Sequence, residues 1–161
     1  MPVKTWAHIQ KRIKFDAGHR IPKHGSKCRN LHGHEYKVIV HCRGTIVDER
    51  GAEDEGMLVD FGVLKAFMVE HIHDVLDHGF IIYQNDFAAL EAIETLESLD
   101  QIKHKTIIFP YVPTAENIAR WCFEQLEPCV KSHFRDNLVL DHVEVWETET
   151  SAASYPEVLR T

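Results

Sequence analysis

Cys28-Arg29-Asn30-Leu31-His32-Gly33-His34 runs directly into Glu35-Tyr36-Lys37-Val38-Ile39-Val40. In the second part Val38 and Val40 alternate with Lys37 and Ile39, and β-branched residues dominate. A period of two with that composition predicts a strand. Side chains two apart on a strand share a face, so His32 and His34 present two imidazoles side by side. Gly33 between them leaves room for a close backbone approach or a bulge. Two same-face imidazoles suit a zinc site, and the Cys28 thiol lies four residues upstream of the first.

Outward from this stretch, residues 8–20 alternate loosely, with apolar Ile9, Ile13 and Phe15 among charged Lys11, Lys14 and Asp16. They predict a first strand. Pro22, Gly25, Ser26 and Asn30 supply loop chemistry between it and the second strand, about 34–47. A strand, a short loop and a strand make an antiparallel pair. His19 ends the first strand, so the return of the chain can set it facing His32 and His34. Three neutral imidazoles without a fourth protein ligand match a catalytic zinc, which keeps one position open for water or substrate. The alternative is a structural zinc closed by Cys28. Lys27 and Arg29 beside that cysteine favour the thiolate and hence reactivity.

Further along, Asp60 is placed to cap a helix running to about Leu76, with Gly79 as the residue that ends it. A short apolar run follows from Phe80 to Tyr83. Residues 86–99 predict an acidic helix carrying Phe87, Leu90, Ile93, Leu96 and Leu99, and Lys105 to Phe109 a short strand. Thr114 is the expected N-cap of a helix reaching about Ser132, with Glu116 in its first turn. Residues 137–148 alternate again, Val139, Val143 and Val145 on one face and Leu140, His142, Glu144 and Trp146 on the other. A final strand is expected from Ser151 to Tyr155. Strands, then helices, then strands is an α+β pattern: an antiparallel sheet with helices on one face.

The length of 161 residues suits one domain over 1–161 and lets the chain bury roughly two-thirds of its unfolded surface. A net charge of -7 argues against nucleic-acid and anionic-membrane partners, which want a basic face. No apolar run approaches the ~20 residues of a membrane span. The start, Met-Pro-Val-Lys-Thr-Trp, lacks a signal-peptide core, so the expected location is cytoplasmic. Four cysteines without a C-x-x-C spacing are expected as free thiols.

Several motifs together resemble the 6-pyruvoyltetrahydropterin synthase family. They are Phe-Asp-Ala-Gly-His19, Cys28-x-x-x-His32-Gly-His34, Val-Asp-Phe61, Leu-Asp77-His78, Pro-Thr114-Ala-Glu116-Asn and Val-x-Val-Trp-Glu147-Thr148, spread in order over nearly the whole chain. The three-residue spacing from cysteine to His-Gly-His is similar to the 6-carboxytetrahydropterin synthase branch, which belongs to queuosine biosynthesis. The resemblance implies the T-fold, a four-stranded antiparallel sheet whose copies join into a barrel, as trimers stacked into a homo-hexamer with sites between subunits. It implies a pterin triphosphate substrate, 7,8-dihydroneopterin triphosphate. It also implies zinc on His19, His32 and His34, with Cys28 and the Asp77–His78 pair as proton carriers. Glu147 would act in the site and hold the pterin ring, with Thr114 and Glu116 as further ring contacts. From residue type alone, Asp77–His78 is equally a helix terminus, Glu147 a strand-end carboxylate, and Thr114 and Glu116 capping residues. Residues 84–108 exceed what compact relatives carry at this point and form an insertion.

Overall fold

The computed structural model describes residues 5–134 and 136–157. Its strands are β1 (Trp6–His19), β2 (His32–Thr45), β3 (Gly79–Tyr83), β4 (Thr106–Phe109), β5 (Leu138–Thr148) and β6 (Ser151–Tyr155). The helices are α1 (Phe61–Met68), α2 (Asp74–Leu76), α3 (Phe87–Asp100) and α4 (Ala115–His133), with a π-helical turn, Val69–His73, joining α1 to α2. The expected α+β architecture is present.

β1 and β2 pair antiparallel over their whole length, from Trp6 opposite Thr45 to His19 opposite His32. Alternation then sorts the faces. Ile13, Phe15 and Ala17 of β1 and Tyr36, Val38 and Val40 of β2 are buried on one side. Leu64, Phe67 and Met68 of α1 and Ile118, Ala119, Cys122 and Leu126 of α4 join them in one cluster. Each such side chain taken from water contributes about 1.5–3 kcal/mol, which holds the helices to that face. Asp60 starts α1 as expected, its Oδ1 accepting from the N–H groups of Gly62 (2.6 Å) and Val63 (3.1 Å).

Three expectations are corrected. Among the described residues the sheet has six strands rather than four, in the order β4-β3-β1-β2-β5-β6. The antiparallel set β1, β2, β5 and β6 is extended by β3, which pairs parallel with the last three residues of β1, and by β4, parallel to β3. On β5, Val139 does not share a face with Val143 and Val145. His41 faces His142 while Cys42 faces Leu140, so Asp141 is an extra, bulged residue that inverts the alternation. Leu138 and Leu140 are buried before it and Val143 and Val145 after it, whereas Val139 is exposed. Finally, Gly79 does not end the helix. Asp77 is extended, His78 takes the left-handed conformation (φ +55°), and Gly79 opens β3. No helix among the described residues is long and apolar enough to cross a membrane.

Candidate metal and catalytic site

The β1–β2 register does most of the work of building the site. His19 stands directly opposite His32, and His34 is its diagonal neighbour on the same face. The rings of His19 and His32 are tilted to each other and both meet that of His34 edge-on: centroids lie 4.5 Å apart for His19–His32, 5.2 Å for His19–His34 and 5.0 Å for His32–His34, with interplanar angles of 51°, 71° and 87°. One ring nitrogen from each falls within 4.8 Å of the other two. Below them on the same face lies Tyr36, whose ring meets both His19 and His34.

Backbone carbonyls set the orientation of two of the rings. His19 Nδ1 donates to the Pro113 carbonyl and His32 Nδ1 to the Asn30 carbonyl, each at 2.7 Å. A carbonyl can only accept, so each Nδ1 carries the proton and Nε2 keeps its lone pair, the arrangement a metal-bound imidazole requires. His19 Nε2 and His34 Nε2 are buried and have no hydrogen-bond partner among the described residues. Such orphaned nitrogens are costly unless something meets them. Burial holds the His19 and His34 imidazoles below their usual pKa, and therefore neutral near pH 7. Converging, neutral and unpartnered nitrogens suit Zn²⁺, which takes imidazole ligands in a tetrahedral set.

Glu147 stands beside the imidazoles. It shares the face of Val143 and Val145, and its Oε1 lies 3.5 Å from His19 Nε2 and 3.8 Å from His34 Nε2. Those distances exceed a hydrogen bond, so the carboxylate lies beside the two imidazoles without pairing tightly to either. Period-two counting from Val143 would have found this. Thr114 caps α4 through a 3.4 Å contact from the Asn117 N–H to its hydroxyl, directly after the Pro113 carbonyl that holds His19. Glu116, in the first turn of the helix, is exposed.

Cys28 sits in a 3-10 turn, Lys27–Arg29, half-buried and free. It is not part of the three-histidine group, which is the only such group among the described residues. The other cysteines are also free. Burial pushes the Cys42 thiol up to about 12 and raises that of Cys122 as well, so those two are packing residues.

Asp77 and His78 do turn toward each other. His78 Nδ1 donates to Asp77 Oδ2 at 2.7 Å, while Asp77 Oδ1 accepts from the Asp16 N–H at 2.9 Å. That N–H first, and then His78, keep the Asp77 carboxyl below its usual pKa and so ionised. The left-handed backbone at His78 is what brings two adjacent side chains together. An open cleft of about 470 Å³ is lined by His78, His34, Asp16 and Glu35, with Gly18 and Gly33 forming its floor. Sequence reasoning missed the Asp16 backbone, the two orienting carbonyls and Tyr36. Of these only Tyr36, on the same period of two as His32 and His34, left a signal.

The sequence profile of 6-pyruvoyl tetrahydropterin synthase matches residues 8–158. The chain belongs to the 6-pyruvoyl tetrahydropterin synthase family. Within this family it is 35% identical over 149 residues to the 6-carboxy-5,6,7,8-tetrahydropterin synthase of Haemophilus influenzae, an alignment covering 92% of this chain and 98% of the relative. The Aquifex aeolicus protein of the same name is 32% identical, with 92% and 97% covered. Among solved structures, an uncharacterised protein of Wolinella succinogenes superposes with a TM-score of 0.70 at 28% identity, over 95% of this chain and 99% of that one. The 6-pyruvoyl tetrahydropterin synthase of Caenorhabditis elegans gives 0.64 at 26% identity, over 98% and 100%.

Proposed function

We propose that the protein is a zinc-dependent 6-carboxy-5,6,7,8-tetrahydropterin synthase. It would convert 7,8-dihydroneopterin triphosphate and water to 6-carboxytetrahydropterin, acetaldehyde and triphosphate, a step of queuosine biosynthesis. The observation that carries this reading is the convergence of His19, His32 and His34, with a free, half-buried Cys28 four residues before His32. Relatives named for this activity match along nearly their whole length.

Zinc, when bound to the three imidazoles, supplies Lewis acidity that lowers the pKa of hydroxyls on the substrate's side chain. The chain's own groups do the rest. Cys28, as thiolate, takes a proton from the side-chain carbon. Asp77, held ionised by the Asp16 N–H, fixes the tautomer of His78 so that Nε2 faces outward as the second proton carrier. Glu147, between the metal side and solvent, accepts from the substrate's N–H groups, with Glu116 and Thr114 at the edge of the ring site.

A homo-hexamer is part of this proposal. Among the described residues, Trp6–Asp16 of β1 pair with β2 alone, and β6 pairs with β5 alone. Open edges of that length recruit strands from another copy, and Asp77–His78 stands beside the β1 edge. Incubation with 7,8-dihydroneopterin triphosphate and product identification by mass tests the reading. 6-Carboxytetrahydropterin with acetaldehyde is expected; a 6-pyruvoyl product without acetaldehyde would assign the other branch, and no turnover would refute the proposal.

A further inference from the structure

We propose that Lys105 is a positioning residue for the Asp77–His78 pair, and that the inserted segment, residues 84–108, serves to deliver it. This rests on the catalytic role proposed above for the pair. The left-handed backbone at His78 costs about 1–2 kcal/mol for a residue with a Cβ, so something must hold it. The holding acts on one peptide unit. The carbonyl of Asp77 and the N–H of His78 belong to the same rigid plane. Lys105 Nζ donates to that carbonyl at 2.6 Å, and the His78 N–H donates to the Asp16 carbonyl at 2.7 Å. With both ends of the plane gripped, ψ of Asp77 and φ of His78 are set, and with them the directions of the two side chains.

Lys105 grips more than that one carbonyl. Its Nζ also donates to the Asp74 carbonyl at 2.8 Å, and its own carbonyl accepts from the Phe80 N–H at 2.9 Å. It therefore clamps the chain on both sides of the pair. The segment that carries Lys105 is anchored at its other end by Asp86. This carboxylate is buried, takes two hydrogen bonds from Arg20 (Nε at 2.6 Å, Nη2 at 2.5 Å) and caps α3 through the Ala89 N–H. Arg20 directly follows His19. Between the anchors, Ala89 is the one buried residue of α3, so the helix is held chiefly by its ends. One end meets the metal-ligand strand and the other the proton-carrying pair.

A lysine that merely satisfied helix-end carbonyls would affect stability and leave turnover alone, and this separates the two roles. Lys105→Met and Lys105→Arg are compared with the wild-type oligomer by crystal structure, zinc content, melting temperature, and kcat and KM on 7,8-dihydroneopterin triphosphate. In Lys105→Met the His78 Nδ1 to Asp77 Oδ2 contact is expected to open and kcat to fall tenfold or more. KM and zinc content stay within twofold, and Lys105→Arg recovers most of the rate. A wild-type turn at His78 in Lys105→Met, or a kcat within twofold of wild type, would overturn the proposal. If Lys105→Met does not fold, Lys105→Gln takes its place with the same two readouts. If the wild-type protein does not turn over this substrate, the functional reading fails by itself, and the crystal comparison alone decides the positioning role.

Discussion

Two triples of histidines lie on opposite faces of the sheet, one on β1 and β2 and the other on β1, β2 and β5, and only the first has the arrangement that could hold a metal. His19, His32 and His34 meet tilted or edge-on, with two Nδ1 protons tied to carbonyls and Nε2 atoms turned inward. His8, His41 and His142 stack flat. The His41 and His142 rings are 3.9 Å apart at 14°, and those of His8 and His41 5.3 Å apart at 28°. Parallel rings point their in-plane lone pairs side by side rather than at one point, and no common ligand position results. What separates the clusters is therefore orientation rather than the number or nearness of imidazoles. Orientation comes from outer partners: the Pro113 and Asn30 carbonyls on one face, Asp141 beside His142 on the other.

The contrast can be broken most sharply through catalysis. Cys28→Ala, four residues before His32 in the chain, is expected to lower turnover by about 10²–10⁴-fold, the usual worth of a general base, with zinc retained. His142→Ala, in the stacked triple, is expected to leave steady-state turnover unchanged. Equal losses in the two variants would erase the distinction.

A smaller effect is expected from the backbone that sets the first triple. A Cβ at Gly33 would stand 2.8 Å from the Ala17 carbonyl oxygen, forcing β1 and β2 apart between His32 and His34. Gly33→Ala should cost about 1–3 kcal/mol in urea unfolding and weaken zinc binding about tenfold in a chelator titration. Gly25→Ala, with nothing within 4 Å of its Cβ, should do neither.

The smallest effect is a pH dependence belonging to the stack. Burial first, and then His142, hold the His41 pKa below its ordinary 6.5, with Glu144 and Asp141 opposing. The folded state then binds fewer protons at this site than the unfolded one, so stability falls as pH drops from about 6.5 through the depressed value. Urea midpoints at pH 7.5 and 5 should therefore fall further for wild type than for His41→Gln. Equal falls would show that His41 is not held neutral.

The membership of the first triple was legible because the pattern that brings its three residues together is local, whereas the Pro113 carbonyl that orients His19 is not. A period of two carries His32 and His34 onto one face, and a short return places His19 opposite. Helix starts at Asp60 and Thr114 were legible for the same reason, each being a side-chain cap on the next turn. What escaped depends on distant partners. The bulge at Asp141 shifts the buried set from Leu138 and Leu140 to Val143 and Val145, and unbroken period-two counting back from Val143 therefore puts Val139 on the core face. The left-handed turn falls on His78 rather than on Gly79 because Asp16 and Lys105, far away in the chain, offset its cost. β3 and β4 were visible as short apolar runs, but their parallel pairing is a long-range event that no periodicity announces.

Zinc stoichiometry by elemental analysis of the purified oligomer tests the central claim most directly, across wild type and single alanine variants of all six histidines. One zinc per chain is expected in wild type, lost in His19→Ala, His32→Ala and His34→Ala and kept in His8→Ala, His41→Ala and His142→Ala. Zinc kept in any variant of the first set, or lost in any variant of the second, would contradict the account.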